Sequence, residues 1–269
     1  MIKKIPDHEY FDQPELSSSL VKMMITSTPK EVRSYLQGKL PQPSGIEIGS
    51  AVHAMLFGGN EIEVSPFDSY RTKEAREWRD SRPKHCIVLS QAENSLAAEL
   101  SKSIRKLDFK GQNLSKIISD LRKIDQVELS CFQTIFDHEF KCKFDAIDVE
   151  NGIIFDVKTT AESDPDGFNK QAGNLLYDVQ QAIYSKIAEA EFGKPFEFYF
   201  IVVSKNQPFD SWIQQIEIDP AVEDQIAIAI ETYQEADRRQ MYLGWSYKIH
   251  KTKVKNWAID SRLRWGAAE

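Results

Sequence analysis

The chain has 269 residues, 41% of them hydrophobic, enough to bury one substantial core without disulfides. With 34 Lys and Arg against 41 Asp and Glu, its net charge of −7 excludes binding nucleic acid by bulk positive charge, so any such contact requires local patches. Three cysteines lack the C-x-x-C spacing of zinc or iron-sulfur sites, and no Gly-rich phosphate loop is present, so we expect neither an iron-sulfur cluster nor a bound nucleotide. Neither a signal-like N-terminus nor an apolar run of about 18 residues is present, which predicts a cytoplasmic protein with no membrane contact.

The predicted organisation is one domain over residues 1–269. Residues 1–15 are polar and are expected to form an arm that is ordered only on contact. A helical region (16–125) precedes a strand-rich core (126–204), and residues 205–269 add a strand, a helix and a basic tail.

The first helix with a candidate functional residue lies around His53, after the chain-breaking prolines near residue 42. Apolar residues at helical spacing predict a core-facing stripe, with His53 on its flank: Ile48, Val52, Met55 and Leu56. Taken alone, His53 is more typical of a boundary histidine than of a ligand, although neutral imidazole can bind ions such as Mn²⁺.

A basic segment follows over residues 70–84, with six Lys or Arg against three Asp or Glu. Aromatic residues are interleaved, so the segment could bind phosphates and stack on a frayed base. Its candidate DNA-binding residues are Arg71, Lys73, Arg76 and Trp78. An ordinary charged helix with i,i+4 ion pairs explains the same pattern equally well.

Three strands are predicted next, over 126–136, 140–149 and the apolar run from Ile153. Asn151-Gly152 predicts a hairpin with a type I′ turn between the last two. Glu128 lies on the first of these strands.

The hairpin brings charged residues to one corner. Asp156 and Lys158 point to the same face of their strand, and pairing can bring Asp145 close to Asp156. Charge at the end of a buried strand needs a partner or an ion, and two carboxylates can hold Mg²⁺. Glu128, as a third carboxylate, could complete a second ion site. Alternatively the corner is a solvated hairpin face or a structural Ca²⁺ site, although Lys158 disfavours the latter.

A helix is predicted over residues 168–192, after the turn at Asp164-Pro165-Asp166-Gly167. Four residues at i, i+3, i+4 and i+7 share one of its faces: Tyr177, Gln180, Gln181 and Tyr184. A packing helix with polar edges remains the alternative.

The remaining chain predicts strands over 196–203 and 212–218 and a helix from Asp219-Pro220 to near Gly244. Residues 238–264 hold eight Lys or Arg, one acidic residue and four aromatic residues, which suits a nucleic-acid or subunit contact or simply a basic surface tail. Strands with crossover helices predict an α/β sheet with added N-terminal and C-terminal helices.

Asp145 followed, after a hairpin turn, by Asp156-Val157-Lys158 resembles the active-site pattern of the PD-(D/E)xK nuclease superfamily, with Phe144 in place of the usual proline. Segments on either side resemble its RecE (exonuclease VIII) branch and, more distantly, the RecB nuclease domain and lambda exonuclease. In chain order over about residues 16 to 204, the matching segments are Gly49 to Leu56 with His53, Ser69 to Trp78, the strand with Glu128, and Tyr177 to Tyr184.

The resemblance implies a three-layer, restriction-endonuclease-like core and a set of site residues. Asp145 and Asp156 would hold the main Mg²⁺ or Mn²⁺ ion together with Val157, and Glu128 and His53 a second or shared position. Lys158 would act on the attacking water. Gln180, Tyr177 and Tyr184 would support the site or contact phosphate.

The resemblance further implies a metal-dependent exodeoxyribonuclease that degrades double-stranded DNA from its ends, 5′ to 3′, and leaves 3′ single strands for recombination. It also implies a RecT-like annealing partner and a ring-shaped homo-oligomer. Two alternatives stay open, namely a structure-specific endonuclease of the same superfamily and a non-catalytic DNA-binding protein with a degenerate nuclease fold.

Overall fold

The computed structural model describes residues 1–40, 47–67, 69–83 and 86–245. Most of the basic tail predicted over residues 238–264 therefore lies outside the described residues.

Within these residues the strands, numbered in chain order, are β1 (Ile2–Lys3), β2 (Ile62–Val64), β3 (Ile87–Leu89), β4 (Asp108–Phe109), β5 (Gln112–Asn113), β6 (Val127–Ile135), β7 (His138–Asp148), β8 (Ile153–Thr160), β9 (Glu197–Ser204) and β10 (Ser211–Gln214). The helices are α1 (Asp7–Asp12), α2 (Ser18–Thr26), α3 (Pro29–Leu36), α4 (Glu47–Phe57), α5 (Lys73–Asp80), α6 (Gln91–Ile104), α7 (Leu114–Lys123), α8 (Pro165–Asn174), α9 (Tyr177–Phe192) and α10 (Ala221–Arg238). None of the described helices is both long and apolar enough to cross a membrane.

A six-stranded mixed sheet forms the middle layer, in the order β1-β6-β7-β8-β9-β10. Among the strands of this sheet only β8 and β9 run parallel, and α8 and α9 make the crossover between them, as parallel neighbours require. Helices α4, α6 and α7 pack on one face of the sheet and α2, α9 and α10 on the other. The predicted α/β, three-layer, mixed-sheet fold with added terminal helices is confirmed.

Two hydrophobic clusters separate these layers, and the side chains of β8 alternate between them. Ile154 packs in the cluster beneath α9, whereas Phe155 and Val157 pack in the cluster beneath α4 and α6. Because β8 is covered on both faces, its polar residues Asp156 and Lys158 emerge on the α9 side within a largely buried environment.

Local sequence accounts for several helix starts. Ser17 accepts a hydrogen bond from the Leu20 amide at the start of α2, as the serine-rich sequence predicts. At the start of α3, Thr28 and Glu31 form a reciprocal capping box, with Pro29 at the first helical position.

The hairpin of β7 and β8 is present, but its predicted turn type is wrong. Residues 149–152 form a four-residue turn in which only Gly152 has a positive φ, 68°, and Asp148 accepts hydrogen bonds from Asn151. The two-residue turn with positive φ at both positions instead joins β6 to β7, at Phe136 and Asp137.

The helix predicted over residues 168–192 is two helices. It breaks after Asn174, and Leu176, with φ of 52°, redirects the chain into α9. At the C-terminus, α10 ends at Arg238 rather than near Gly244.

The N-terminal arm is folded onto the sheet, which corrects the expectation for residues 1–15. Strand β1 pairs with β6, and the buried Lys141 ammonium donates to the carbonyls of Tyr10 and Gln13 at 2.9 and 2.6 Å. Lys141 thereby adds a second donor to the Tyr10 carbonyl, which also accepts from the Gln13 amide, and binds the Gln13 carbonyl after α1 ends.

Candidate active site

The candidate site lies where β7 and β8 separate. Their pairing includes Ala146 opposite Phe155 and continues toward the hairpin turn, so Asp145 and Asp156 are the next residues on the open side of the fork. The fork thereby places two carboxylates between neighbouring strands, at the edge of a largely buried part of the sheet.

Three potential ligands converge on this fork from three elements, α4, β6 and β7. One ligand atom from each of His53, Glu128 and Asp145 lies within 4.8 Å of the others. His53 Nδ1 lies 3.3 Å from Asp145 Oδ1, and His53 Nε2 lies 3.0 Å from the carbonyl oxygen of Val157. The Val157 amide donates to Asp145 Oδ2 at 2.7 Å, which fixes that carboxylate against β8.

Glu128 occupies a strained backbone position opposite Asp145. Its φ is 51°, a left-handed conformation that is costly for a residue with a side chain. The pairs Val127 with Ala146 and Leu129 with Phe144 flank it, so two carboxylates face each other across neighbouring strands. Because like charges in that arrangement repel, the position indicates a site built to be neutralised by a cation.

A lysine and the N-terminal arm provide part of that neutralisation. Lys143 Nζ lies 2.6 Å from Glu128 Oε2 and also pairs with Asp7, which accepts a hydrogen bond from Asn60 at 2.7 Å. Sequence reasoning missed both residues. Strand alternation from Asp145 could have found Lys143, whereas Asp7 is so distant in the chain that its contact leaves no local pattern.

The second half of the site joins β8 to α9. Gln180 Nε2 donates to Asp156 Oδ1 at 2.7 Å, and Lys158 Nζ lies 2.5 Å from Asp156 Oδ2. That second oxygen has no aligned hydrogen-bond donor among the described residues, so Lys158 holds it as an ion pair. Asp156 is 3% exposed, and a carboxylate so buried requires such compensation.

Burial and neighbouring charges set the protonation of these groups. Burial disfavours protonated His53, yet the Asp145 carboxylate outweighs this and raises the pKa of His53 to about 9. Burial likewise opposes ionisation of Asp145, but the His53 cation, followed by Lys158, keeps the pKa of Asp145 below its usual value.

The other carboxylates behave differently. Burial and then the charge of Asp145 raise the pKa of Glu128, and burial raises the pKa of Asp156 despite the Lys158 ammonium. Burial would lower the pKa of Lys158, but the carboxylates of Asp156 and Asp145 raise it, so Lys158 is a cation.

Lys22 of α2 is a third lysine at the site, after Lys143 and Lys158, and was not predicted. Its Nζ lies 3.3 Å from Gln180 Oε1 and 5.0 Å from the centre of the Tyr177 ring, which Lys158 approaches at 5.1 Å. Burial and then repulsion from Lys158 lower the pKa of Lys22 to about 7. The Tyr177 ring thus lies between the ammonium groups of Lys22 and Lys158 on one side and the core on the other, where it stacks on Phe200.

Among the described hydrogen bonds, none joins the other residues predicted to contact DNA to this cluster. Tyr184 packs edge-on against Phe144 and Phe198 in the core. On α5, Trp78 packs against Phe67 and its ring is covered by Arg82 at 4.9 Å, whereas Lys73 pairs with Glu77. Arg71 and Arg76 are exposed, and Arg76 donates to the carbonyl of Arg71.

The donor set fits a divalent ion. Two carboxylates and a backbone carbonyl are the oxygen ligands that Mg²⁺ and Mn²⁺ accept, and an imidazole favours Mn²⁺ of the two. The repulsion between Glu128 and Asp145 further favours a cation between them.

The fold and site together define a mixed-sheet α/β protein with an acidic fork and an adjoining lysine. Residues 17–241 match the family described as a PDDEXK-like domain of unknown function (DUF3799), and the chain belongs to that family. The predicted membership of the PD-(D/E)xK superfamily is therefore confirmed, whereas the RecE branch stays a prediction.

One solved structure agrees at the level of the fold. The chain resembles a candidate exonuclease from Eubacterium rectale with a TM-score of 0.64 and 14% identity, over 96% of this chain and 98% of that one. A phage-related exonuclease from Haemophilus somnus 129PT aligns over 87% of this chain and 98% of that one, at 12% identity and a TM-score of 0.37, too low to establish a common fold. No curated protein matches the sequence.

Proposed function

We propose that the protein is a metal-dependent exodeoxyribonuclease that degrades double-stranded DNA from its ends in the cytoplasm. The observation that carries the proposal is the convergence of His53, Glu128 and Asp145 beside the Asp156 and Lys158 pair. Support also comes from the family and from the exonuclease activity ascribed to the similar Eubacterium rectale protein.

In this proposal Asp145, Glu128 and His53 hold the ion, with Asp156 and the carbonyl of Val157 at its border. A bound Mg²⁺ or Mn²⁺ would neutralise the phosphodiester and make an attacking water more acidic. A mononuclear or a two-ion arrangement is compatible with these ligands.

The chain's own residues then position the reactants. Lys158, held as a cation by Asp156, donates to the attacking water or to a phosphate oxygen. Gln180 fixes the Asp156 carboxylate, so that Lys158 is kept at the fork rather than in solvent. Tyr177 lies under Lys22 and Lys158 and keeps their ammonium groups on the open side.

The finer parts of the proposal follow from the RecE resemblance. Degradation would run 5′ to 3′ and leave 3′ single strands for a RecT-like annealing partner in recombination. The active form would be a ring-shaped homo-oligomer around the DNA.

The experiment that tests this is digestion of linear duplex DNA labelled at the 5′ or the 3′ end, with Mg²⁺, with Mn²⁺ and with EDTA. We expect metal-dependent release of the 5′ label, loss of release in Lys158→Ala, and normal release in the control Lys102→Ala, which alters an exposed lysine paired with Glu99.

Other outcomes separate the alternatives. Early release of the 3′ label would reverse the polarity, and cutting of closed circles would indicate an endonuclease. Binding of duplex without any cleavage under all conditions would identify a non-catalytic DNA-binding protein.

A further inference from the structure

A cationic pocket lies beside the candidate active site, between the end of α4, the end of α6 and the exposed side of α7. It encloses about 340 Å³. Leu56 forms part of its apolar floor, and its other lining residues include Arg105, Ser115, Ser119, Arg122 and Lys123. None of the lining residues is acidic.

Ion pairs compensate only part of the positive charge that lines the pocket. Asp120 lies 2.8 Å from Lys123, whereas Glu99 pairs with Lys102 and Asp125 with Lys4. In the described part of the chain, no ion pair engages either arginine of the pocket. In a protein of net charge −7, an uncompensated pair of arginines in one cavity indicates an anionic ligand.

Both arginines reach the C-terminal end of α4, where a cation is favourable, but no carboxylate pairs with either of them in the described part of the chain. Arg105 Nη2 donates to the carbonyl of Met55 at 2.5 Å, near the C-terminal end of α4, where a cation is favourable. Arg122 lies beside Gly58, and a β-carbon on Gly58 would come within 3.3 Å of Arg122 Nη2. Gly58 therefore leaves room for the Arg122 guanidinium at the pocket.

The pocket is close to the candidate ion-binding group along the same helix. Leu56 follows His53 by three residues, so the two side chains are neighbours separated by about 4.5 Å along the helix axis. Each strand of duplex DNA carries one phosphate for about every 3.4 Å of its axis. The next phosphates of a strand held at the fork therefore recur at intervals shorter than the one turn of α4 that separates His53 from the floor of the pocket.

We propose that this pocket binds a backbone phosphate of a DNA strand that has another phosphodiester, one to a few nucleotides away, at the fork. The inference rests on the proposed function and adds a substrate contact to it. Arg122 supplies a planar fork of donors that matches two phosphate oxygens, and the hydroxyls of Ser115 and Ser119 add uncharged donors.

The test is the salt dependence of duplex binding, measured by fluorescence anisotropy in EDTA so that no cleavage occurs. For Arg122→Ala we expect weaker binding and a slope of log K against log salt reduced by about 1, the value for one lost phosphate contact. Arg122→Lys should retain most of the slope but bind more weakly than the native protein, because it loses the two-pronged contact. Lys116→Ala, an exposed lysine of α7 outside the pocket, should leave both quantities unchanged.

One further variant and one small ligand make the outcome decisive. Ser119→Glu places an anion in the pocket at an exposed helix position and should weaken binding more than Lys116→Ala, even if Arg122→Ala folds poorly. Calorimetry with deoxyadenosine monophosphate distinguishes a free nucleotide from a DNA phosphate. Loss of nucleotide binding with unchanged duplex binding in Arg122→Ala would overturn the proposal, as would an unchanged salt slope.

The proposed nuclease activity and the proposed phosphate contact can be refuted independently of each other. A protein that cleaves DNA in Mg²⁺ but shows the same salt slope in Arg122→Ala lacks the pocket contact. A protein that cleaves no DNA but loses slope on that substitution has the contact and not the proposed activity.

Discussion

Gln180 and Gln181 are consecutive, buried and chemically identical, yet their amides serve different parts of the molecule. Gln180 donates to Asp156 at 2.7 Å and lies 3.3 Å from the Lys22 ammonium. Gln181 donates to the carbonyl of Ile216 at 3.0 Å, in the segment after β10. Substituting each glutamine in turn therefore distinguishes a contribution to the site from a contribution to stability alone.

We predict that Gln180→Ala lowers kcat on duplex DNA about 10- to 100-fold, because Asp156 and Lys158 lose a partner that orients them. Gln181→Ala should leave kcat nearly unchanged. Both should lower the free energy of unfolding by about 1–2 kcal/mol, because each substitution removes buried hydrogen bonding of an amide side chain. Steady-state kinetics and urea unfolding of the two variants check this, and an equal loss of activity in both would contradict it.

Residue type and strand alternation were enough to predict part of the site from the sequence. Asp145, Asp156 and Lys158 could be placed at one corner because a hairpin and a period of two determine which side chains are neighbours. Lys22 and Asp7 could not, because they reach the site only through tertiary packing, whereas the same alternation places Lys143 on the face of Asp145. Nor does any local rule show that Asp156 binds Gln180 while His53, Glu128 and Asp145 form the tighter group.

At the scale of elements, the sequence predicted the type and order of the main strands and helices, but the turns less well. The turn between β6 and β7 has positive φ at Phe136 and Asp137, 50° and 58°, although neither is glycine or asparagine. Pairing of Ile135 with His138 forces that conformation, since a two-residue loop must follow the twist of its strands. A tertiary requirement here outweighs the local preference on which sequence reasoning depends.

We predict opposite changes in the free energy of unfolding for substitutions in the two hairpin turns. Asp137→Gly should raise the free energy of unfolding by up to about 1 kcal/mol, because glycine adopts a positive φ without a steric cost. Gly152→Ala should lower it, since φ is 68° and the new methyl would lie 3.1 Å from the carbonyl of Pro195. Urea unfolding monitored by circular dichroism measures both. Destabilisation by Asp137→Gly would show that its side chain contributes more than its backbone costs.

At the scale of the whole molecule, the site draws on all three layers. His53 comes from a helix on one face, the carboxylates from the sheet, and Gln180 and Lys22 from helices on the other face. Repulsion among Glu128, Asp145 and Asp156 opposes this assembly without an ion. A divalent cation that binds only the folded protein should therefore raise the melting temperature of the whole chain.

The pH dependence of that stabilisation is our last prediction. The pKa of His53 is about 9 in the folded protein, above its ordinary value of 6.5. Its charge therefore stabilises the ion-free protein fully below about pH 6.5, and this contribution is lost as pH rises through about 9. In EDTA the melting temperature should fall over this range, and His53→Gln should remove that part of the decrease.

An ion at the same site requires the neutral imidazole, so the dependence on pH should reverse when one binds. The increase in melting temperature on adding Mn²⁺ should grow from pH 6.5 to 9, because fewer protons must be displaced from His53. His8→Gln, which alters an exposed histidine of α1, is the matched control and should behave as the native protein does. Scanning calorimetry with EDTA or Mn²⁺ at several pH values measures both effects. A Mn²⁺ effect that is independent of pH, or that is the same in His53→Gln, would show that His53 is not a ligand and would leave Glu128, Asp145 and Asp156 as the ion-binding residues.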